Sequence, residues 1–155
     1  IPRHVERTDS IIKELKSIKL ITHTHEPKKK IQKNTDIYVV NSYGKTKSFY
    51  NIIKNIFLGG SLINHGGQNP LEATRYGCNI LHGPNINNFK EIYSLLGNLK
   101  ISNKVSNYRQ LSNELDKLFQ KKQSSKKIQY KLNSIGNKIL NNTYKNINMF
   151  LKNEI

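Results

Sequence analysis

The stretch that decides the fold is Leu58-Gly59-Gly60-Ser61, followed four residues later by Gly66-Gly67-Gln68-Asn69-Pro70-Leu71-Glu72. It is typical of a strand end, two glycine turns and a helix start at Pro70, because proline fits the first helical turn. Glycines let a backbone approach a ligand closely, and a helix start attracts an anion. Glu72 either accepts hydrogen bonds from a ribose diol or only offsets the helix dipole. The stretch therefore favours a nucleotide site over a pair of structural turns.

Short apolar runs alternate with amphipathic stretches on both sides of this block. The alternation predicts an α/β fold, a Rossmann-like parallel sheet with flanking helices, followed by long C-terminal helices. Ligands of such sheets bind at the carboxyl ends of the strands, where the glycine turns lie. Strands are predicted at 19–24, 36–40, 56–58, 79–82 and 100–105, and helices at 5–18, 44–54, 70–76, 89–96, 108–121 and 128–151.

The chain has 155 residues, enough for one ordinary domain with a core. Its net charge of +16 indicates either attraction to nucleic acid, anionic lipid or phosphorylated substrates, or a composition bias toward lysine. The lysines are spread along the chain, and the densest cluster is Lys28-Lys29-Lys30. The eight tyrosines are scattered as well, which disfavours a nucleic-acid partner.

Two further features limit the class of protein. Cys78 is the single cysteine, so no disulfide forms within the chain and a reducing compartment is expected. Its apolar surroundings predict a small packing residue. No apolar run approaches the roughly 20 residues of a membrane span, so any membrane contact is expected to be peripheral or to lie elsewhere in a longer protein.

Five motifs together resemble the C-terminal domain of the 3-deoxy-D-manno-octulosonic acid (Kdo) transferases, which have the two-domain GT-B architecture. The resemblance covers residues 1 to about 96, and the helical tail over 106–155 fits the family only loosely. It implies that 1–155 is an incomplete nucleotide-sugar-binding domain, with the N-terminal acceptor domain absent from this chain. The motifs are PRHVER at 2–7, GGS at 59–61, GGQNPLEA at 66–73, GP at 83–84 and NFKEI at 88–92.

The resemblance also implies an activity. Such enzymes bind CMP-Kdo as donor and transfer Kdo, with inversion, to a lipid A precursor in lipopolysaccharide biosynthesis. They work at the cytoplasmic face of the bacterial inner membrane, without a cofactor or a metal at the reacting centre. The general base and the lipid acceptor belong to the N-terminal domain, so no catalytic residue is assigned in this chain. The chain alone is expected to be inactive, with a peripheral contact to anionic membrane as a secondary expectation.

Two groups of site residues follow from the resemblance. Arg3 and His4, at the end of a strand, would line the nucleotide cleft, with Arg3 on phosphate or the sugar carboxylate unless it pairs with Glu6. Gly44 would offer its backbone, although Gly44-Lys45-Thr46 stands where the family has Gly-Glu-Leu.

The second group lies in and after the glycine block. Gly60, Ser61 and Gly67 would surround the phosphate and the sugar. Asn69 would fix the turn or bind a sugar hydroxyl, and Glu72 would hold the ribose. Asn88 is expected to be a helix N-cap or to touch the ligand.

Other functions stay open at this stage. The chain could be another GT-B nucleotide-sugar enzyme, a UDP-dependent transferase or an epimerase, or a basic nucleic-acid-binding domain. His23-Thr24-His25-Glu26 offers too few ligands for a metal site. A Ser61–His65 nucleophile pair has no orienting acid at a recognisable spacing.

Overall fold

The computed structural model describes residues 1–121 and 124–153. The chain divides into two compact units, Ile1–Phe49 and Tyr50–Ile155. The predicted helical tail over 106–155 includes four residues, 122, 123, 154 and 155, that lie outside the described residues.

The first unit consists of helices and a pair of parallel strands. A 3₁₀ turn at Val5–Arg7 leads into helix α1 at Thr8–Ser17. Strands β1 (Thr22–Thr24) and β2 (Ile37–Val39) pair in parallel. Helix α2 follows at Thr46–Ile52, and the boundary between the units falls within it.

The second unit contains a three-stranded parallel sheet in the order β3-β4-β5. Its central strand is buried on both faces, because Ile80 and Leu81 are both almost fully buried, as is common in parallel sheets. Helices α3 and α4 provide the crossovers, and α5 and α6 follow the sheet. The bounds are β3 Asn55–Leu58, α3 Leu71–Arg75, β4 Asn79–His82, α4 Lys90–Asn98, β5 Ser102–Lys104, α5 Tyr108–Gln120 and α6 Ser125–Asn153.

The predicted fold class, parallel strands with flanking helices and long C-terminal helices, is confirmed. The strands form two sheets, β1-β2 and β3-β4-β5, where the sequence suggested one. Strand pairing depends on backbone hydrogen bonds between distant segments, which alternation of apolar and polar residues does not specify.

Two apolar clusters form the core of the second unit. One joins the sheet to α3 and α4 through Leu58, Ala73, Cys78, Ile80 and Tyr93. The prediction for Cys78 is confirmed: it is fully buried, and its Sγ lies 3.2 Å from the Ile53 carbonyl oxygen. Burial raises the pKa of the Cys78 thiol, which keeps the reactive thiolate scarce.

The second cluster fixes the start of α6. Leu96, Ile101 and Ile128 are buried together there. A side chain at Gly77 would overlap Ser125, so the first turn of α6 lies directly against the turn that follows α3.

Three local predictions were wrong or displaced. Arg3 and His4 do not end a strand, because the chain turns at once into the 3₁₀ turn, where the Arg7 N–H donates to the His4 carbonyl at 3.1 Å. Pro70 lies one residue before α3, not at its first position, although its carbonyl accepts from the Thr74 N–H at 3.1 Å. Asn88 is not an N-cap, because it lies inside a 3₁₀ turn at Asn87–Phe89.

Substitution of Leu96 tests the location of the core. Leu96→Ala should lower the free energy of unfolding by about 2–5 kcal/mol, because a fully buried leucine leaves a cavity. Leu140→Ala is the matched control on another helix, where the side chain is 52% exposed, and should change stability by less than about 0.5 kcal/mol. Urea denaturation followed by circular dichroism measures both, and equal losses would place the core elsewhere.

Candidate functional site

Two loops leave the same edge of the three-stranded sheet. Strands β3 and β4 are parallel neighbours, with Leu58 opposite His82 in the register. The first loop begins at Gly59 and the second at Gly83, directly after these residues. This is the carboxyl edge, where ligands of open α/β sheets bind.

Ser61 connects the two loops. Its hydroxyl donates to the Leu58 carbonyl at 2.6 Å and accepts from the Gly83 N–H at 2.8 Å. The Ser61 carbonyl accepts from the Asn85 N–H at 2.9 Å and from the Asn85 side-chain amide at 3.3 Å. Ser61 is fully buried, so its hydroxyl positions the loops and is not presented to a ligand. Because the Ser61 hydroxyl is held by these bonds, it is not suited to act as a nucleophile with the exposed His65 as its base.

Gly83 is required by this close approach. A Cβ atom at Gly83 would overlap the backbone of Ser61 and Leu62. Gly59 holds the equivalent place after β3, but a Cβ there would have no neighbour within 4 Å. The two glycines therefore differ: Gly83 lets the loops meet, while Gly59 leaves an open surface beside the backbone.

The first loop is closed on itself by its own backbone. Gly60 and Gly67 have φ of +72° and +74°, and the Gly67 N–H donates to the Gly60 carbonyl at 3.2 Å. Because this N–H is already hydrogen-bonded, it is not available to a ligand, and the role of Gly67 is to shape the loop. A Cβ at Gly66 would overlap the Asn88 amide, so Asn88 covers this turn from the second loop.

Asn69 and Glu72 lie at the start of α3. The Asn69 side-chain oxygen accepts from the Leu71 N–H at 3.0 Å, a bond that fixes the turn before α3. Helix α3 has only five residues and this amide is engaged, so the helix start offers less to an anion than the sequence suggested. Glu72 is exposed in its first turn. After burial, the charge of Glu72 helps to raise the pKa of Tyr50, which places the carboxylate near that ring.

His82 and Tyr93 help to hold the loops in place, and the sequence analysis did not identify them. The rings are 4.2 Å apart between centroids, and the Tyr93 hydroxyl donates to the Gln68 carbonyl at 2.8 Å. His82 Nδ1 lies 2.7 Å from the Gly83 carbonyl, which can only accept, so Nδ1 carries the proton. Burial lowers the pKa of His82, opposed by that bond and assisted by Lys104. A histidine at a strand end followed by Gly-Pro is the only sequence signal for this support.

The remaining predicted site residues belong to the first unit. Arg3 and His4 are exposed, and His4 Nδ1 lies 3.4 Å from a Glu6 carboxylate oxygen. The hydroxyl of Tyr43 also donates to Glu6, at 3.4 Å. Gly44 is an exposed turn residue with φ of +74°, a conformation that suits glycine. The structure groups the other six, Gly60, Ser61, Gly67, Asn69, Glu72 and Asn88, in the second unit.

The histidine-rich stretch after α1 is occupied by local hydrogen bonds. His23 Nδ1 lies 2.7 Å from the Thr35 hydroxyl, and His25 Nδ1 lies 2.8 Å from the Tyr38 hydroxyl. Within residues 1–121 and 124–153, no group of three or more His, Cys, Asp or Glu side chains is placed to hold a metal ion.

Known proteins are similar to this chain in sequence. The chain is 33% identical over 96 residues to the 3-deoxy-D-manno-octulosonic acid transferase of Haemophilus influenzae, which covers 62% of this chain and 22% of that protein. It is 29% identical over 147 residues to the enzyme of the same name from Rickettsia prowazekii. The aligned region covers 95% of this chain and 31% of the relative. No protein-family model matches the chain.

A solved structure agrees with these relatives. The crystal structure of the C-terminal CMP-Kdo binding domain of WaaA from Acinetobacter baumannii superposes with a TM-score of 0.69 at 28% identity, over 73% of this chain and 59% of that one. The chain is similar in sequence and in fold to the C-terminal domain of the Kdo transferases. It corresponds to the C-terminal domain, and it spans between about a fifth and a third of the length of the curated relatives above. The predicted resemblance is confirmed.

The two strand-end glycines give a matched test. Gly83→Ala should lower the free energy of unfolding by about 1–3 kcal/mol, because the new methyl group forces the loops apart. Gly59→Ala should change it by about 1 kcal/mol at most, in either direction. Urea denaturation compares the two variants, and a Gly83→Ala protein as stable as Gly59→Ala would contradict the close approach.

His82 predicts a pH dependence of stability. Its pKa is lowered in the folded chain, whereas in the unfolded chain it has the ordinary value of about 6.5. As pH falls below that value the unfolded state takes up a proton that the folded state resists, so the free energy of unfolding decreases. His82→Gln should remove this contribution, and His65→Gln, at an exposed position, should keep it. Urea denaturation between neutral and mildly acidic pH measures the free energy of unfolding of both variants. If it depends on pH to the same extent in both, His82 does not have this role.

Proposed function

We propose that this chain binds CMP-Kdo and is the donor-binding part of a glycosyltransferase that moves Kdo onto a lipid A precursor. The observation that carries the proposal is the pair of glycine loops joined by Ser61 at the carboxyl edge of β3 and β4. They occur in a domain whose structural relative is named for binding CMP-Kdo.

The donor phosphate belongs at the open side of the first loop. Gly59 is exposed and has no neighbouring atom where a side chain would stand, so a phosphate can approach the backbone there. Glu72 follows in α3 with an exposed carboxylate that can accept from both hydroxyls of a ribose. Asn88, on the second loop, lies against Gly66 of the first loop, and its exposed side chain could contact the sugar.

Arg3, His4 and Gly44, which the family resemblance assigns to the donor, lie in the first unit. Arg3 is exposed and carries a planar guanidinium that suits a phosphate or the Kdo carboxylate. His4 lies beside the Glu6 carboxylate, so contact between His4 and a donor requires these two side chains to separate.

The reaction proposed is a single displacement. A base takes the proton of the acceptor hydroxyl, whose oxygen attacks the anomeric carbon of Kdo. The bond to the CMP oxygen breaks with its electron pair on the leaving phosphate, and the configuration inverts. We assign the base to no residue of this chain and expect it, with the lipid acceptor, in another domain of the full-length enzyme. The leaving CMP would be stabilised by backbone N–H groups and by the basic surface, without a metal or cofactor.

Calorimetry with the purified chain tests this function. CMP should bind, and UMP should bind more weakly. The Glu72→Gln substitution should weaken CMP binding by about tenfold to a hundredfold, because a charged acceptor for the ribose is lost. Glu14→Gln is the matched control, since Glu14 is also an exposed helical carboxylate and the change in charge is the same.

Three results would contradict the proposal. A folded chain that binds neither nucleotide does not hold the donor site. Preference for UMP indicates a UDP-dependent enzyme of the same fold. If Glu72→Gln and Glu14→Gln weaken CMP binding equally, the effect comes from net charge, and Glu72 does not bind the ribose.

A further inference from the structure

Helix α3, which carries Glu72, is too short to be stable by itself. It has five residues, Leu71–Arg75, whereas isolated helices shorter than about 12–15 residues are marginal in water. The position of the Glu72 carboxylate therefore depends on what holds the two ends of α3. The start is held by Asn69, whose side-chain oxygen accepts from the Leu71 N–H.

The end of α3 is held by the start of α6. The last carbonyls of a helix have no partner within it, and the Arg75 carbonyl accepts from the Gln129 side-chain amide at 3.0 Å. Beside this bond the chain turns at Gly77, where a Cβ atom would lie 2.6 Å from the Ser125 Cβ. The turn after α3 and the first turn of α6 are therefore in close contact.

The start of α6 is itself fixed on the core. Ile128, the residue before Gln129, is buried in one cluster with Leu96 and Ile101. Leu132, one helical turn later, packs against the same cluster. The Gln129 amide therefore comes from a segment that the core holds in place, and it ties the end of α3 to that core.

Lys131 makes a contact of the same kind with the other crossover helix. Its Nζ donates to the Leu99 carbonyl, directly after α4, at 2.8 Å. A cation at the end of a helix also interacts favourably with the helix dipole. Gln129 and Lys131 thus hold the ends of α3 and α4, but only α3 carries Glu72.

We propose, resting on the proposed function of Glu72 as the ribose acceptor, that Gln129 is a positioning residue for the donor site and acts on Glu72 through α3. Gln129 holds the end of the helix, so the carboxylate is already in place when the ribose arrives. Without this bond α3 opens more often from its end, and part of the binding free energy is then spent on ordering the helix.

A double-mutant cycle on CMP affinity, measured by calorimetry, tests this role. Gln129→Leu should weaken CMP binding by about threefold to tenfold, the usual effect of one lost hydrogen bond. In the Glu72→Gln background the same substitution should weaken it by less than about twofold, because the carboxylate that Gln129 positions is gone.

Lys131→Met is the matched control on the same helix. It removes a hydrogen bond to a carbonyl at the end of α4, which does not carry Glu72. The charge that it removes is the same in both backgrounds. Its effect on CMP affinity should therefore be the same in the parent and in the Glu72→Gln background.

Hydrogen exchange measures the effect on α3 without any ligand. The Gly77 N–H donates to the Thr74 carbonyl at 2.8 Å, and the Cys78 N–H donates to the Ala73 carbonyl at 3.3 Å. In Gln129→Leu both amides should exchange faster relative to the amides of β4. Lys131→Met should leave this ratio unchanged.

Circular dichroism and urea denaturation first establish that each variant is folded. The positioning role is overturned if Gln129→Leu binds CMP as the parent does, if it weakens binding equally in both backgrounds, or if the amides after α3 keep their protection. Equal non-additivity for Lys131→Met would also overturn it, since the effect would then be a general loss of stability.

Failure of the proposed function gives a different result. If the parent does not bind CMP, or if Glu72→Gln binds CMP as the parent does, Glu72 is not the ribose acceptor. The positioning role then fails with the proposed function, whatever hydrogen exchange shows for α3.

Discussion

The Ser61 hydroxyl is the contact on which the rest of the site depends. One bond ties it to the last residue of β3 and another to the first residue after β4, so the two loops are held at a fixed separation. The arrangement works only because position 83 has no side chain. With the loops fixed, the turns at Gly60 and Gly67, the amide of Asn88 and the start of α3 fall into place around one edge of the sheet.

The sequence was most informative where glycine and proline restrict the backbone. The glycine block predicted the loops, and the apolar runs predicted strands close to β3, β4 and β5. Both signals are local. The separation of β1 and β2 into their own sheet depends on pairing between distant segments, and Arg3 and His4 were assigned to a strand for want of that information.

Within the site, the residue types were easier to predict than their roles. Ser61 was expected to face phosphate, but a fully buried hydroxyl with a donor and an acceptor on either side is a positioning group. His82 and Tyr93 were not identified, because a buried histidine against a tyrosine leaves no periodic pattern. Such support residues become visible only when burial and hydrogen bonds are known. The same applies to Gln129, whose contact with the end of α3 joins residues 54 positions apart.

The most direct test of the site is amide NMR of the ¹⁵N-labelled chain titrated with CMP. The two-loop account predicts that shifted signals concentrate in residues 59–67 and 83–88 and around Glu72. Those of β5 and of residues 136–152 should stay unchanged. Shifts confined to regions away from these loops, or none at saturating CMP in a folded chain, would contradict the claim that the Ser61-linked loops form the donor site.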